Sequence, residues 1–128
     1  MDYIVPADVT NRLFLGFTIE TQQVYCDKAN QELDDLAILK GVLVADIKTP
    51  IHLKLKDFCI HYAVSQLALD NSGFNIDANS ADDKYERLFK RETYVLQSIH
   101  SAITRIMFTG EEQTTDNRAV SSQNIVRG

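Results

Sequence analysis

The chain has 128 residues, 45% hydrophobic and 24% charged, with 18 acids against 13 Lys and Arg for a net charge of −5. That length makes one domain of ordinary size, burying roughly two thirds of its unfolded surface without a staple. The acidic balance argues against a non-specific duplex binder, which neutralises phosphates with a basic face, and no apolar run approaches the ~20 residues of a bilayer span.

The opening Met1-Asp2-Tyr3-Ile4-Val5-Pro6 has no basic region ahead of an apolar core, so no secretory leader is expected and the cytosol is the simplest location. Pro6 then precedes Ala7 to Leu15, with Gly16 after it. This predicts a short helix of about two turns, with Val9, Leu13 and Phe14 on its apolar face. Thr18 caps a second helix that runs to about Lys40. Tyr25, Ala29, Leu33, Leu36, Ala37 and Lys40 recur at steps of three and four, with Val24 beside them. Asp27, Gln31, Glu32, Asp34 and Asp35 make the opposite, solvated face, and Gly41 stands where a left-handed C-cap residue belongs.

The run Val42 to Ile47 is too short for periodicity to separate a strand, a helical turn and a tucked apolar linker. Thr49-Pro50 reads as the cap and first position of a third helix. That helix carries Leu55, Phe58, Cys59, Tyr62, Ala63, Leu67 and Leu69 and fades through Asp70 to Gly73. Apolar residues on more than one face make it the central helix. Phe74 to Asn79 reads as a loop. Ser80 caps a fourth helix with Asp82 and Asp83 in its first turn, where the helix dipole favours negative charge. Tyr85, Leu88, Phe89, Glu92, Val95, Leu96, Ile99, Ile103 and Ile106 form a long stripe that Gly110 ends. A continuous helix from Ala81 to Thr109 is about 43 Å long, enough to project towards another chain.

After Gly110 the pattern stops. Gln113 to Asn117 is turn chemistry, and Val120, Ile125 and Val126 are too few to bury themselves. Ordering each residue costs roughly 1–2 kcal/mol of backbone entropy, so this segment is expected to order against a partner. The fold class is therefore all-α: a bundle of about four helices, one short and three long, over residues 1–110, with an extended C-terminal arm over residues 111–128.

No chemistry-bearing constellation emerges. Cys26 and Cys59 have no CxxC spacing and read as buried free thiols in a reducing compartment. His52 and His61 lack the i, i+4 spacing of a helical zinc pair. Asp57 and His61 do have that spacing, and a surface ion pair is the simplest reading of them. Cys59 and His61, two apart, do not face each other on a helix. The neighbouring acids Asp34-Asp35 and Asp82-Asp83 point about 100° apart, poor geometry for one magnesium ion. No GxxxxGK[ST], GxGxxG or GxSxG is present. No enzyme activity, cofactor, catalytic residue or metal ligand is expected.

One basic cluster stands out. Lys84, Arg87 and Arg91 step by three and four on the fourth helix and share a face, with Lys90 and Arg105 along the same helix. Lys48, Lys54 and Lys56 flank the third. Asp83, Glu86 and Glu92 sit among the cations, so a salt-bridged solvent face stands beside an inter-subunit or docking face as readings of Lys84, Arg87 and Arg91.

The order of elements resembles the head–tail adaptor (connector) proteins of tailed bacteriophages. The stretches that carry the likeness are Ala7-Asp8-Val9-Thr10-Asn11-Arg12-Leu13, Ala29-Asn30-Gln31-Glu32-Leu33 leading into Gly41, and Tyr62-Ala63 on the core helix. The resemblance is one of layout over most of the chain, without a signature residue. It implies a virion structural protein of the neck, made in the host cytoplasm. Such a protein forms a ring, commonly dodecameric, beneath the portal protein, lines the channel through which DNA passes without sequence-specific binding, and receives the next neck or tail-completion protein. It also implies that the arm docks on the portal, which by position assigns Val120, Ile125, Val126 and Arg127 as anchors. Strand addition to a partner's sheet edge is one way such an arm gains affinity, and many arms on one ring bind together at high effective concentration. An acidic wall suits a DNA conduit, because it avoids binding by counterion release. The competing classes are a stand-alone helical adaptor or regulator that binds one cellular protein through its tail, and a small nucleic-acid binder using the Lys84–Arg91 face.

Overall fold

The computed structural model describes residues 2–72 and 83–110, and these are all-helical, with no strand among them. The expected loop at Phe74 to Asn79, the Ser80 cap with Asp82, and the arm 111–128 lie outside the described residues. The elements are α1 (Arg12–Leu15), α2 (Ile19–Leu39), α3 (Leu53–Asp70), α4 (Asp83–Ala102) and α5 (Arg105–Thr109), with 3₁₀ turns at Pro6–Asp8 and Val44–Asp46.

The expected two-turn opening helix is divided. Pro6–Asp8 forms a 3₁₀ turn, and α1 starts afresh because the Asn11 side chain accepts the Phe14 N–H at 3.1 Å. An N-cap of this kind satisfies a donor that the first turn leaves orphaned. The preceding segment is clasped onto α2 by Asn30. Its Oδ1 accepts the Tyr3 and Ile4 N–H groups at 3.1 and 3.0 Å, and its Nδ2 donates to the Ile4 carbonyl at 3.1 Å.

Thr18 caps α2 as expected, accepting the Thr21 N–H at 3.2 Å. At the other end Gly41 adopts φ 80°. The Gly41 N–H donates to the Ile38 carbonyl and the Val42 N–H to the Ala37 carbonyl, the paired bonds of a Schellman cap, with Val42 buried beneath. The ambiguous run is a 3₁₀ turn at Val44–Asp46 that buries Val42 and Ile47 and exposes Leu43. Thr49-Pro50 does not open α3. It is a cis peptide in the preceding turn, and α3 begins at Leu53 with His52 Nδ1 accepting the Lys54 N–H at 3.0 Å.

α3 is the spine. Its buried residues include Leu55, Phe58, Cys59, Ala63, Val64, Leu67 and Ala68, which point to more than one side. α2 and α4 both pack on it, with little direct contact between them. Contacts run in opposite order along each pair: Tyr25 donates to Asp70 at 2.6 Å, while Glu32 and Tyr62 interact further along. Across the other side His61 meets Glu92, and the Phe58 ring meets His100. The three long helices therefore run up, down and up, and α2 and α4 point the same way.

The expected continuous helix from Ala81 to Thr109 is broken. α4 ends at Ala102, Thr104 is extended at φ −119° and ψ 160°, and α5 restarts at Arg105. Ile103 and Thr104 are both β-branched and weak helix formers, and the break drives Phe108 into the core, fully buried. The Lys48 N–H donates to the Phe108 carbonyl at 2.8 Å, fastening α5 to the α2–α3 connection. Gly110 ends α5 in the left-handed region at φ 72°, as its position in the sequence predicts. No helix of the described residues is long and apolar enough to cross a membrane.

Candidate functional site: a basic groove between α1 and α4

Lys84, Arg87 and Arg91 are exposed along α4, and the fold brings a fourth cation to them. Arg12 of α1 joins them, with Asn11, Leu13 and Leu88, around an open groove of about 530 Å³ that no carboxylate lines among the described residues. The Asn11 cap fixes where α1 starts and so where Arg12 stands. Arg12 and Arg87 have no ion-pair partner among the described residues. The Lys84 ammonium lies 5.4 Å from the Tyr85 ring centroid, and Arg91 Nε approaches Glu92 at 3.7 Å. Tyr94, 76% exposed, continues the same stripe one step beyond Arg91. Sequence periodicity finds the α4 cations but not Arg12, whose proximity depends on long-range packing.

The other cations go elsewhere. Lys90 pairs with Glu86 at 3.3 Å, and Lys56 with Asp8 at 3.3 Å. Lys48 lies against Gly110, and Arg105 lies near Gly41. Val120, Ile125, Val126 and Arg127, the expected anchors of the arm, are outside the described residues.

Between α3 and α4 lies a half-buried His–Glu contact that sequence spacing misplaces. His61 does not pair with Asp57 on its own helix. Its Nδ1 lies 2.5 Å from Oε1 of Glu92, which is only 6% exposed. The contact with Glu92 raises the His61 pKa above its ordinary value, against the lowering effect of burial; Asp57 also raises it and Arg91 lowers it. A cavity of about 300 Å³ beside the pair is lined by Asp8, Thr10, Asn11, Asp57 and Ile60, among others.

Burial pushes the Cys26 and Cys59 thiols up to about 11 and about 12, so at neutral pH both carry their protons. Asp34 accepts the Tyr3 hydroxyl at 2.5 Å while Asp35 accepts from Gln31 at 3.0 Å, so these neighbouring acids serve different partners. Among the described residues no group of three or more His, Cys, Asp or Glu is placed to hold a metal ion.

A second surface feature is apolar. Ile38 and Leu39 at the end of α2 and Leu43 just beyond it are exposed together, Leu39 at 83% and Leu43 at 70%. No protein-family model matches the chain, and no curated protein or solved structure matches it either.

Proposed function

We propose that this protein is a head-to-tail adaptor of a tailed-bacteriophage virion. In this reading the helices form a bundle, bundles stand side by side in a ring under the portal protein, and residues 111–128 are an extended arm that docks on the portal. The ring lines the DNA channel and hands over to the next neck or tail protein. The observation that carries the reading is the exposed cluster of Ile38, Leu39 and Leu43. Apolar side chains exposed close together at one helix end offer a place where a second protein excludes water, and in a ring that protein is the neighbouring copy. The order of elements supports the same reading.

The test is assembly state. Light scattering on the purified chain, alone and mixed with the portal protein of the same virus, is expected to give a closed multimer, with twelve copies the expected number. Leu39→Asp with Leu43→Asp should reduce it to monomer while leaving the helical signal intact. A chain truncated after Gly110 should lose the portal and keep its fold. Retention of the portal by the truncated chain refutes the docking role of the arm, and a chain that stays monomeric in both conditions refutes the ring.

A further inference from the structure

The two outer helices differ in charge. The solvent face of α2 runs Glu20, Val24, Asp27, Gln31, Asp35, Leu39 at steps of three and four, all of them exposed or at the solvent edge. Asp27 and Asp35 are held in place by Gln23 and Gln31, whose side-chain amides donate to them at 2.8 and 3.0 Å. The nearby Lys28 ammonium sits over the Tyr25 ring, 5.0 Å from its centroid. On α1 and α4 stand the four cations of the groove.

Resting on the ring reading above, we propose that the Arg12–Lys84–Arg87–Arg91 groove is the seat for the acidic face of α2 from a second copy. Spacing supports the match. Lys84 to Arg91 rises about 10.5 Å along α4 and Asp27 to Asp35 about 12 Å along α2, so two rows of opposite charge lie in register. Tyr94 comes after Arg91 and Leu39 after Asp35, so a parallel approach lays the exposed ring beside the exposed leucine, and an antiparallel one lays it beside the exposed Val24; the symmetry of a ring decides between the two. Within one protomer α2 and α4 already point the same way, and rotation about an axis along the helices keeps that direction. The donor face and the acceptor groove are different surfaces of one chain, so each copy has one of each to offer. Contacts of this kind run head to tail and close into a ring when the rotation allows.

The experiment is charge reversal read by sedimentation velocity on the full chain, with circular dichroism to verify that each variant is folded. Arg12→Glu with Arg87→Glu reverses the groove, and Asp27→Lys with Asp35→Lys reverses the face. Each variant alone should weaken self-association by about tenfold or more, the effect of losing several exposed charge pairs at once. An equimolar mixture of the two should restore it, because the acidic groove of one then meets the basic face of the other. Wild-type assembly that survives both reversals overturns this contact and leaves the ring reading standing. A wild-type chain that is monomeric with and without portal protein overturns both. Groove reversal that abolishes binding of a fluorescent DNA duplex while leaving self-association intact makes the groove a nucleic-acid surface and also overturns the proposal.

Discussion

Replacing His61 with phenylalanine removes the partner of a carboxylate that has almost no access to water. Glu92 is 6% exposed, its Oε1 loses a contact of 2.5 Å, and Arg91, at 3.7 Å from Oε2, remains nearby. Breaking a fully buried pair by removing one partner costs about 3–5 kcal/mol, whereas a surface pair contributes about 0–1 kcal/mol. Here the glutamate is buried and the histidine reaches the solvent edge, so the cost should fall between those limits, about 2 kcal/mol. For a domain of this size that lowers the melting temperature by roughly 6–10 °C. The direction of the shift also sets the pH dependence. Glu92 raises the His61 pKa in the folded chain, so the charged pair contributes fully below the unfolded value of about 6.5 and is lost as pH climbs through the higher folded value. Asp57 reinforces this shift and Arg91 opposes it; Asp8 also lines the adjoining cavity, itself paired with Lys56. Thermal unfolding followed by circular dichroism from pH 6 to pH 9 should therefore show the wild-type advantage over His61→Phe shrinking with rising pH. Glu92→Gln keeps a hydrogen-bonding group in place and should flatten the pH dependence. An advantage that is constant or grows with pH refutes the assignment.

Two further substitutions probe how the helices are held. Asn30→Ala strips partners from three backbone groups of Tyr3 and Ile4, at about 1–3 kcal/mol for each group left buried and unsatisfied. The segment can escape that cost by detaching, so the expected result is fast hydrogen exchange at Tyr3 and Ile4 with a smaller loss of global stability, read by mass spectrometry and denaturant unfolding. Phe108→Ala empties a fully buried site at the point where α5 is fastened to Lys48 and should cost about 3–5 kcal/mol in chemical unfolding.

The sequence makes legible whatever local chemistry decides. Thr18, Gly41 and Gly110 mark helix ends because a cap or a left-handed residue acts on its own neighbours, and each stands where the chain order predicts. α3 is identifiable as the spine from apolar residues around its circumference, without reference to anything it touches. The failures are contacts between distant segments. The apolar stripe of α4 continues through Ile103 and Ile106 at helical spacing, and nothing local says that burying Phe108 outweighs a straight helix. His61 has a carboxylate four residues away, yet prefers one thirty-one residues away that the core withholds from water. Thr49-Pro50 has the composition of a helix start, but the His52 ring reaches the orphan donor of Lys54 and claims the cap. In the groove, the helical period reveals Lys84, Arg87 and Arg91, while Arg12 joins them only after α1 has packed.

The charge pattern leads to a salt dependence that distinguishes self-association from nucleic-acid binding. Each copy carries a net charge of −5, so two copies repel over distances comparable to the Debye length. At about 0.01 M salt that length is about 30 Å and the repulsion acts across the whole protomer; at about 0.1 M it is about 10 Å and the repulsion is largely screened. Rows of opposite charge within a few ångströms of each other keep most of their attraction at about 0.1 M and lose it towards about 1 M, where the length is about 3 Å. Self-association through the groove should therefore pass through a maximum near about 0.1 M and weaken on both sides, in sedimentation measured across that range. A groove that binds DNA behaves differently, since counterion release makes affinity fall steadily as salt rises. Self-association that is indifferent to salt, or that strengthens steadily up to about 1 M, would mean that charge pairing does not hold the contact, and the charge-complementary groove would lose its physical basis.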